Sequence, residues 1–360
     1  MRRHLGSSLT RTSAFAVGRP HPLPLSRERE RGGTVRRPLS ICGALVAAAV
    51  IGGLAAAAEK TQAPPAVTLK HDDAAGRFDV LVGGKPAVVY HHGAEVDLPH
   101  YVLFSPSGKP LTVQKTEPYP HHRSFWFADT VQLAGQRKAS FYNALYSQVD
   151  KKNPKSAFRD RIRHVAFAAE KAEGNRAEVE LKMVWEMDLG KTPVLDETRK
   201  MRIAADPQGQ YFVDVQFALA AAHGDVEFQS DAVHYAWPFI RIHPTFSGQQ
   251  GATITSSEGK TGEKATNMQP ALWVDYSNTV DGATEGLALM SYKDNPGPHR
   301  WLTREYGTFG PRRPDDRSGK PFTLKRGETL TTRAGVWVHG GDVQGGRVAA
   351  RYQQWTEGKP

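Results

Sequence analysis

Alternation of apolar and polar residues at period two is the feature that most restricts this chain. Between residues 176 and 187, Val179, Leu181, Met183, Trp185 and Met187 fall on one face, with Glu178, Glu180, Lys182 and Glu186 opposite. An extended strand buried on one side sorts its residues in this way. Residues 211–219 repeat the pattern with Tyr211, Val213, Val215, Phe217 and Leu219, and a third run, 198–205, lies between them. Gly174-Asn175 and Pro207-Gln208-Gly209 mark turns, so the three runs predict an antiparallel meander. Residues 78–82 and 85–90 flank Gly83-Gly84, a pair able to take positive φ, and predict a hairpin. Further strands are expected at 237–242, 271–276, 286–290 and 330–338. Only the C-terminus reads as helical, with Asp342 as N-cap and Val348, Tyr352 and Trp355 on one face. The 24 prolines and 34 glycines suit many turns. The expected fold is mainly β: one large antiparallel β-sandwich over residues 76–360 with a single C-terminal helix.

The net charge of +10 suggests a nucleic-acid partner until it is divided along the chain. Residues 1–58 hold nine arginines, no lysine and two glutamates, a net of +7, which leaves 38 basic and 35 acidic residues for the remainder. The basic character therefore belongs to the leader, and no nucleic-acid groove is expected. Arg36-Arg37, the apolar run 39–58 and its Ala55-Ala56-Ala57-Ala58 end have the pattern of an export signal. Residues 34–58 are read as the signal proper, cleaved near Ala58, giving a periplasmic or extracellular protein with no membrane attachment afterwards. Residues 1–34 are rich in Arg, Pro and Ser and fit no signal, which places the expected start at Val35. Residues 59–75 contain Pro64-Pro65 without periodicity and read as a linker. Cys42, the one cysteine, lies in the leader, so the folded part offers no disulfide and no thiolate ligand.

Several chemistries lack their motif. No glycine-rich dinucleotide loop opens a helix, and Gly259-Lys260-Thr261 has Ile254 where a phosphate loop needs glycine. The richest segment is Pro118-Tyr119-Pro120-His121-His122-Arg123-Ser124-Phe125-Trp126-Phe127-Ala128-Asp129, in which an extended chain would point His121 and Arg123 one way and His122 the other. Imidazole and guanidinium there suit acid–base work, metal binding or the grip of a carboxylate or sugar hydroxyl. His91, His92 and His100 lie upstream, but no spacing identifies a metal. Asp231, His234 and Trp237, followed by Arg241, combine polar groups with a ring, as sugar sites do. Asp275 and Tyr276 form a second mixed segment. His299, Arg300, Arg304 and Tyr306 fall in the stretch 294–320, which reads as a long loop.

The order of these motifs resembles the bacterial family labelled "methane oxygenase PmoA-like", a domain of unknown function. The resemblance rests on the block at 120–127, Trp273-Val274-Asp275-Tyr276-Ser277 with Val280-Asp281-Gly282, and Asp294-Asn295-Pro296. Trp301 with Arg304 and Tyr306-Gly307, and the closing Arg326-Gly327-Glu328-Thr329-Leu330, complete it. It extends from about residue 75 to 340. The chain departs from the family pattern with Ser124 after the His-His-Arg triplet, Val131–Gln136 after Asp129, and Thr308-Phe309-Gly310-Pro311 after Gly307. The label is not taken literally, because methane oxidation requires an integral membrane complex. The resemblance implies a supersandwich of the galactose-mutarotase-like kind, a statement about fold and not about activity.

The expected function is that of an exported carbohydrate-active enzyme of hydrolase, lyase or epimerase type. His121, His122, His234 and Asp275 are the catalytic candidates. Arg123, Trp126, Arg241, Tyr276, His299 and Arg304 are the substrate-binding ones. No metal or cofactor is assigned. A non-catalytic glycan-binding protein is the alternative, and a metal-dependent oxidase the third reading.

Overall fold

The computed structural model describes residues 63–229, 236–297, 299–313 and 320–358. Residues 59–360 form one unit. The fold is mainly β, as expected. One eight-stranded sheet runs, in spatial order, Val67–Asp72, Arg77–Val82, Lys85–His91, His100–Leu103, Phe125–Trp126, Phe239–Arg241, Thr308–Pro311 and Trp301–Thr303. A second runs Thr253–Ser256, Trp273–Val280, Ala283–Ser291, Thr329–Gly340, Tyr211–Ala220, Thr192–Ala205, Arg176–Met187 and Arg161–Glu173. Phe322–Leu324, Val226–Phe228, Thr130–Leu133 and Lys138–Ser140 make a smaller third sheet. All the strand pairings within named strands are antiparallel, for example Arg199 opposite Phe217 and Val215 opposite Ala334.

One apolar core joins the two large sheets, taking Val80, Val88 and Tyr101 from the first and Met201, Val215 and Val336 from the second. The Phe125 and Phe127 rings meet Phe217 across this interface, and the Tyr211 hydroxyl donates to the Ala87 carbonyl at 2.6 Å. This is a sandwich: each sheet buries its apolar face on the other. A second apolar cluster of Phe212, Trp273, Met290, Trp337, Val348 and Trp355 lies on the other face of the second sheet, beneath the helix Val348–Thr356.

Four expectations change. The presumed linker carries the strand Val67–Asp72, which pairs along its length with Arg77–Val82. The presumed long loop contains the hairpin of Trp301–Thr303 and Thr308–Pro311. Asp342 does not cap the helix; its carboxylate accepts from the Gln344 and Gly345 amides in the preceding turn, and Arg347 stands at the helix start. Finally, the chain enters 120–127 through consecutive turns, the Tyr119 amide donating to Thr116 and the His122 amide to Tyr119. The extended geometry expected for His121 and His122 is therefore absent. Among the described residues no helix is long and apolar enough to cross a membrane.

Candidate functional site

The site lies where three short strands adjoin in the first sheet. Phe125–Trp126, Phe239–Arg241 and Thr308–Pro311 are neighbours, with Trp126 opposite Phe239 and Arg241 opposite Thr308. Alternation settles which side chains share a face. Phe125 and Phe309 turn inward, reaching Phe217 and Tyr276 of the second sheet. Trp126, Phe239 and Arg241 therefore turn outward. Over that outer face lie the turn 116–122 and the 3-10 segment Phe141–Ser147, which bring Tyr119, His121, His122, Tyr142 and Tyr146 to it. Gly307 takes φ +98, and a Cβ there would come within 3.1 Å of the Ile242 Cβ. Only glycine sits easily in that turn, which sets Tyr306 and Thr308 beside Arg241.

His122 is buried at the centre. Its Nε2 lies 2.8 Å from the Tyr142 hydroxyl and its Nδ1 3.0 Å from Thr308 Oγ1. One ring nitrogen donates and the other accepts. Burial first, and then the charges of His121, Arg241 and Arg123, depress its pKa to about 2, so the ring is neutral throughout the physiological range. His121 stands outside it, half-buried, with ring centroids 4.6 Å apart and Nδ1 3.2 Å from the Tyr146 hydroxyl. Burial, with Arg123, lowers its pKa as well. Tyr119 stacks on His122 at 5.0 Å and meets Tyr306 at 5.0 Å.

Arg241 is 3% exposed and lies 4.6 Å from the Tyr306 ring centre. Among the described residues its one side-chain hydrogen bond is a long one, NH1 to Thr308 Oγ1 at 3.4 Å, and its Nε has no partner. No carboxylate pairs with it among the described residues. Burial pushes its pKa below the usual arginine value, opposed by the phenols of Tyr306 and Tyr119.

The other predicted residues divide. Arg123 is fully buried, not open to substrate. Its Nε and NH2 clamp the Asp97 carboxylate, and NH1 donates to the Pro120 and His122 carbonyls. Trp126 is also buried, stacked at 4.8 Å on Phe239 rather than offered to a sugar. Asp275 and Tyr276 are neighbours on a strand and so face opposite ways. Tyr276 enters the inter-sheet core and donates to the Arg304 carbonyl at 3.0 Å. Asp275 goes to the far face of the second sheet, where its Oδ1 meets His339 Nε2 at 2.8 Å, and it is no part of the His122 cluster. Arg304 pairs with Glu263 at 3.3 Å. His299 Nδ1 lies 2.7 Å from the Arg312 carbonyl oxygen. His234 lies outside the described residues.

The upstream histidines pack in pairs, His91 on His100 and His92 against His164. No group of three or more His, Cys, Asp or Glu able to hold a metal occurs among the described residues. Five contributors went unforeseen: Tyr119, Tyr142, Tyr146, Tyr306 and Thr308. Tyr119 and Tyr306 each lie inside a motif already singled out, whereas nothing near Tyr142 and Tyr146 marked them beyond their i, i+4 spacing.

No curated protein matches the chain. Among solved structures it is similar to a GH36 α-galactosidase, AgaB, from Geobacillus stearothermophilus, with TM-score 0.42, 10% identity, 77% of this chain and 42% of that one covered. A putative aldose 1-epimerase from Escherichia coli K12 gives TM-score 0.31 and 10% identity, with 76% and 99% covered. Heparan sulfate lyase HepC from Pedobacter heparinus gives TM-score 0.31 and 12% identity, with 78% and 36% covered. The chain thus spans under half the length of the galactosidase and of the lyase. The strand topology itself carries the β-sandwich assignment. Residues 77–353 match the family of unknown function DUF6807, and the chain belongs to that family.

Proposed function

We propose that this protein is an exported carbohydrate-active enzyme whose centre is the His121–His122–Arg241 cluster. One observation carries the reading: imidazole, phenol and guanidinium groups from four separate segments meet on one outer face of the sandwich. The rings of Tyr119 and Tyr306 offer flat apolar surface of the kind that packs on a sugar face. His121, neutral at pH 7 and half-buried, is the proton acceptor. The phenol of Tyr146 hydrogen-bonds it and can carry a proton to or from solvent. His122 is too strongly depressed to exchange protons near neutrality, so with Tyr142 and Thr308 it positions the others. Arg241 faces the place where negative charge develops. This set suits elimination or epimerisation next to an electron-withdrawing carbon better than hydrolysis by two carboxylates.

The test is turnover of plant and algal oligosaccharides by the protein lacking residues 1–58. In His121→Gln the rate should fall about 10²–10⁴-fold with sugar affinity largely kept. Sugar binding without any turnover, and a modest affinity loss in the same variant, would overturn catalysis and favour the glycan-binding reading. The neutrality of the buried His122 is the feature that supports that second reading.

A further inference from the structure

We infer that the sugar recognised here carries a carboxylate, and that Arg241 is its counter-ion. This rests on the carbohydrate reading above and adds the substrate class.

A guanidinium withdrawn from water is normally paired, because burial penalises an isolated charge heavily. Three other buried arginines obey this rule. Arg123 holds Asp97, Arg199 holds Glu197 and Arg313 holds Asp129. Arg241 is as deeply buried as Arg313, yet among the described residues it meets only phenol rings, neutral imidazole and one long hydroxyl contact. With NH1 turned to Thr308 and the buried Nε unpartnered, the Nε–NH2 edge is the one left without a partner among the described residues, and that planar fork matches a carboxylate in two parallel hydrogen bonds. Among the described residues the immediate neighbours add no competing anion: His122 is neutral, and burial raises the Tyr306 phenol above its usual pKa, so its proton is retained at pH 7. A bound carboxylate would supply the missing negative charge. It would also place the carbon bearing it beside Tyr306 and Tyr119, on the side of the cluster where His121 stands.

Isothermal titration at pH 7 with oligogalacturonate and oligoglucuronate, set against neutral galactose and glucose oligomers of equal length and a sulfated galactose oligomer, tests this. The wild type should bind one of the carboxylated oligomers and prefer it to its neutral counterpart. In Arg241→Gln affinity for it should fall on the order of thirtyfold, to the neutral level. Arg241→Lys should restore little, because an ammonium lacks the fork. Unchanged circular dichroism and melting would show that the variants are folded. Neutral oligomers binding as tightly as acidic ones would overturn the carboxylate assignment and leave the carbohydrate reading standing. Preference for the sulfated oligomer would overturn the carboxylate in favour of a sulfate ester. No binding of any oligomer would overturn both readings.

Discussion

Two buried arginines act on His122, and they end differently. Arg123 uses four donor contacts on Asp97 and two backbone carbonyls, so its charge and geometry are closed within the protein. Arg241, only 3% exposed, has among the described residues one long hydrogen bond and an unpartnered Nε. The same contrast separates two buried imidazoles. His339 meets the Asp275 carboxylate; burial opposes its charge, but the carboxylate prevails and its pKa is raised. His122 meets hydroxyls and cations and is depressed to about 2. Closed charge holds a fold together, whereas open charge in a satisfied surrounding waits for something from outside.

The contrast can be broken by substitution, and the largest effect should come from the closed side. Arg123→Ala strands Asp97 in the interior and should cost about 3–5 kcal/mol by urea denaturation. Asp275→Asn should cost less, about 1–3 kcal/mol, because His339 can lose its proton. Ligand affinity should not change, since Asp275 lies on the far face of the other sheet. An affinity loss there would undo the separation of the two regions. Trp126→Phe should cost under about 1.5 kcal/mol and leave ligand affinity intact, as expected of a packing residue beside Phe239.

A smaller effect concerns pH. His122 and His164 have folded pKa values of about 2 and about 4, both below the usual 6.5. The folded protein therefore binds fewer protons than the unfolded chain as pH falls below 6.5, and their stability contribution, complete above that value, is lost on acidification. Asp129, raised by burial to about 6 despite Arg313, runs the other way between 6 and 3.8 and offsets part of the loss. The melting temperature should fall by several degrees between pH 7 and pH 5, and His122→Gln should flatten that slope. An unchanged slope would mean that the imidazole is not held neutral.

Much of the second sheet was legible in sequence, because Arg176–Met187 and Tyr211–Ala220 each bury one face and alternate cleanly. Thr192–Ala205 was seen only in its second half, since the register shifts between Pro193 and Leu195 and interrupts the pattern. The first sheet was harder. Phe239–Arg241 lies within the expected strand 237–242, but Phe125–Trp126 and Thr308–Pro311 are short and buried on both faces, too short for alternation to show. The His-His-Arg block supplies two side chains of the proposed site, but burial divides it: Arg123 is a structural clamp on Asp97, and the arginine without a carboxylate partner among the described residues is Arg241, far along the chain. Alternation already placed Asp275 and Tyr276 on opposite faces, and no single pocket could have used both. Asn295 shows how a recognisable motif can be structural, for its side-chain amide exchanges hydrogen bonds with the Arg333 backbone.

Arg241 is a charge without a carboxylate partner among the described residues, and the unfolding free energy of Arg241→Met measures that directly. A residue whose counter-ion comes from a ligand adds little to the stability of the empty protein. The variant should therefore unfold within about 1 kcal/mol of the wild type, or above it, the lost ring contact being offset by release of a buried cation. A loss comparable to that of Arg123→Ala would show that Arg241 is paired within the fold and would contradict the proposed site.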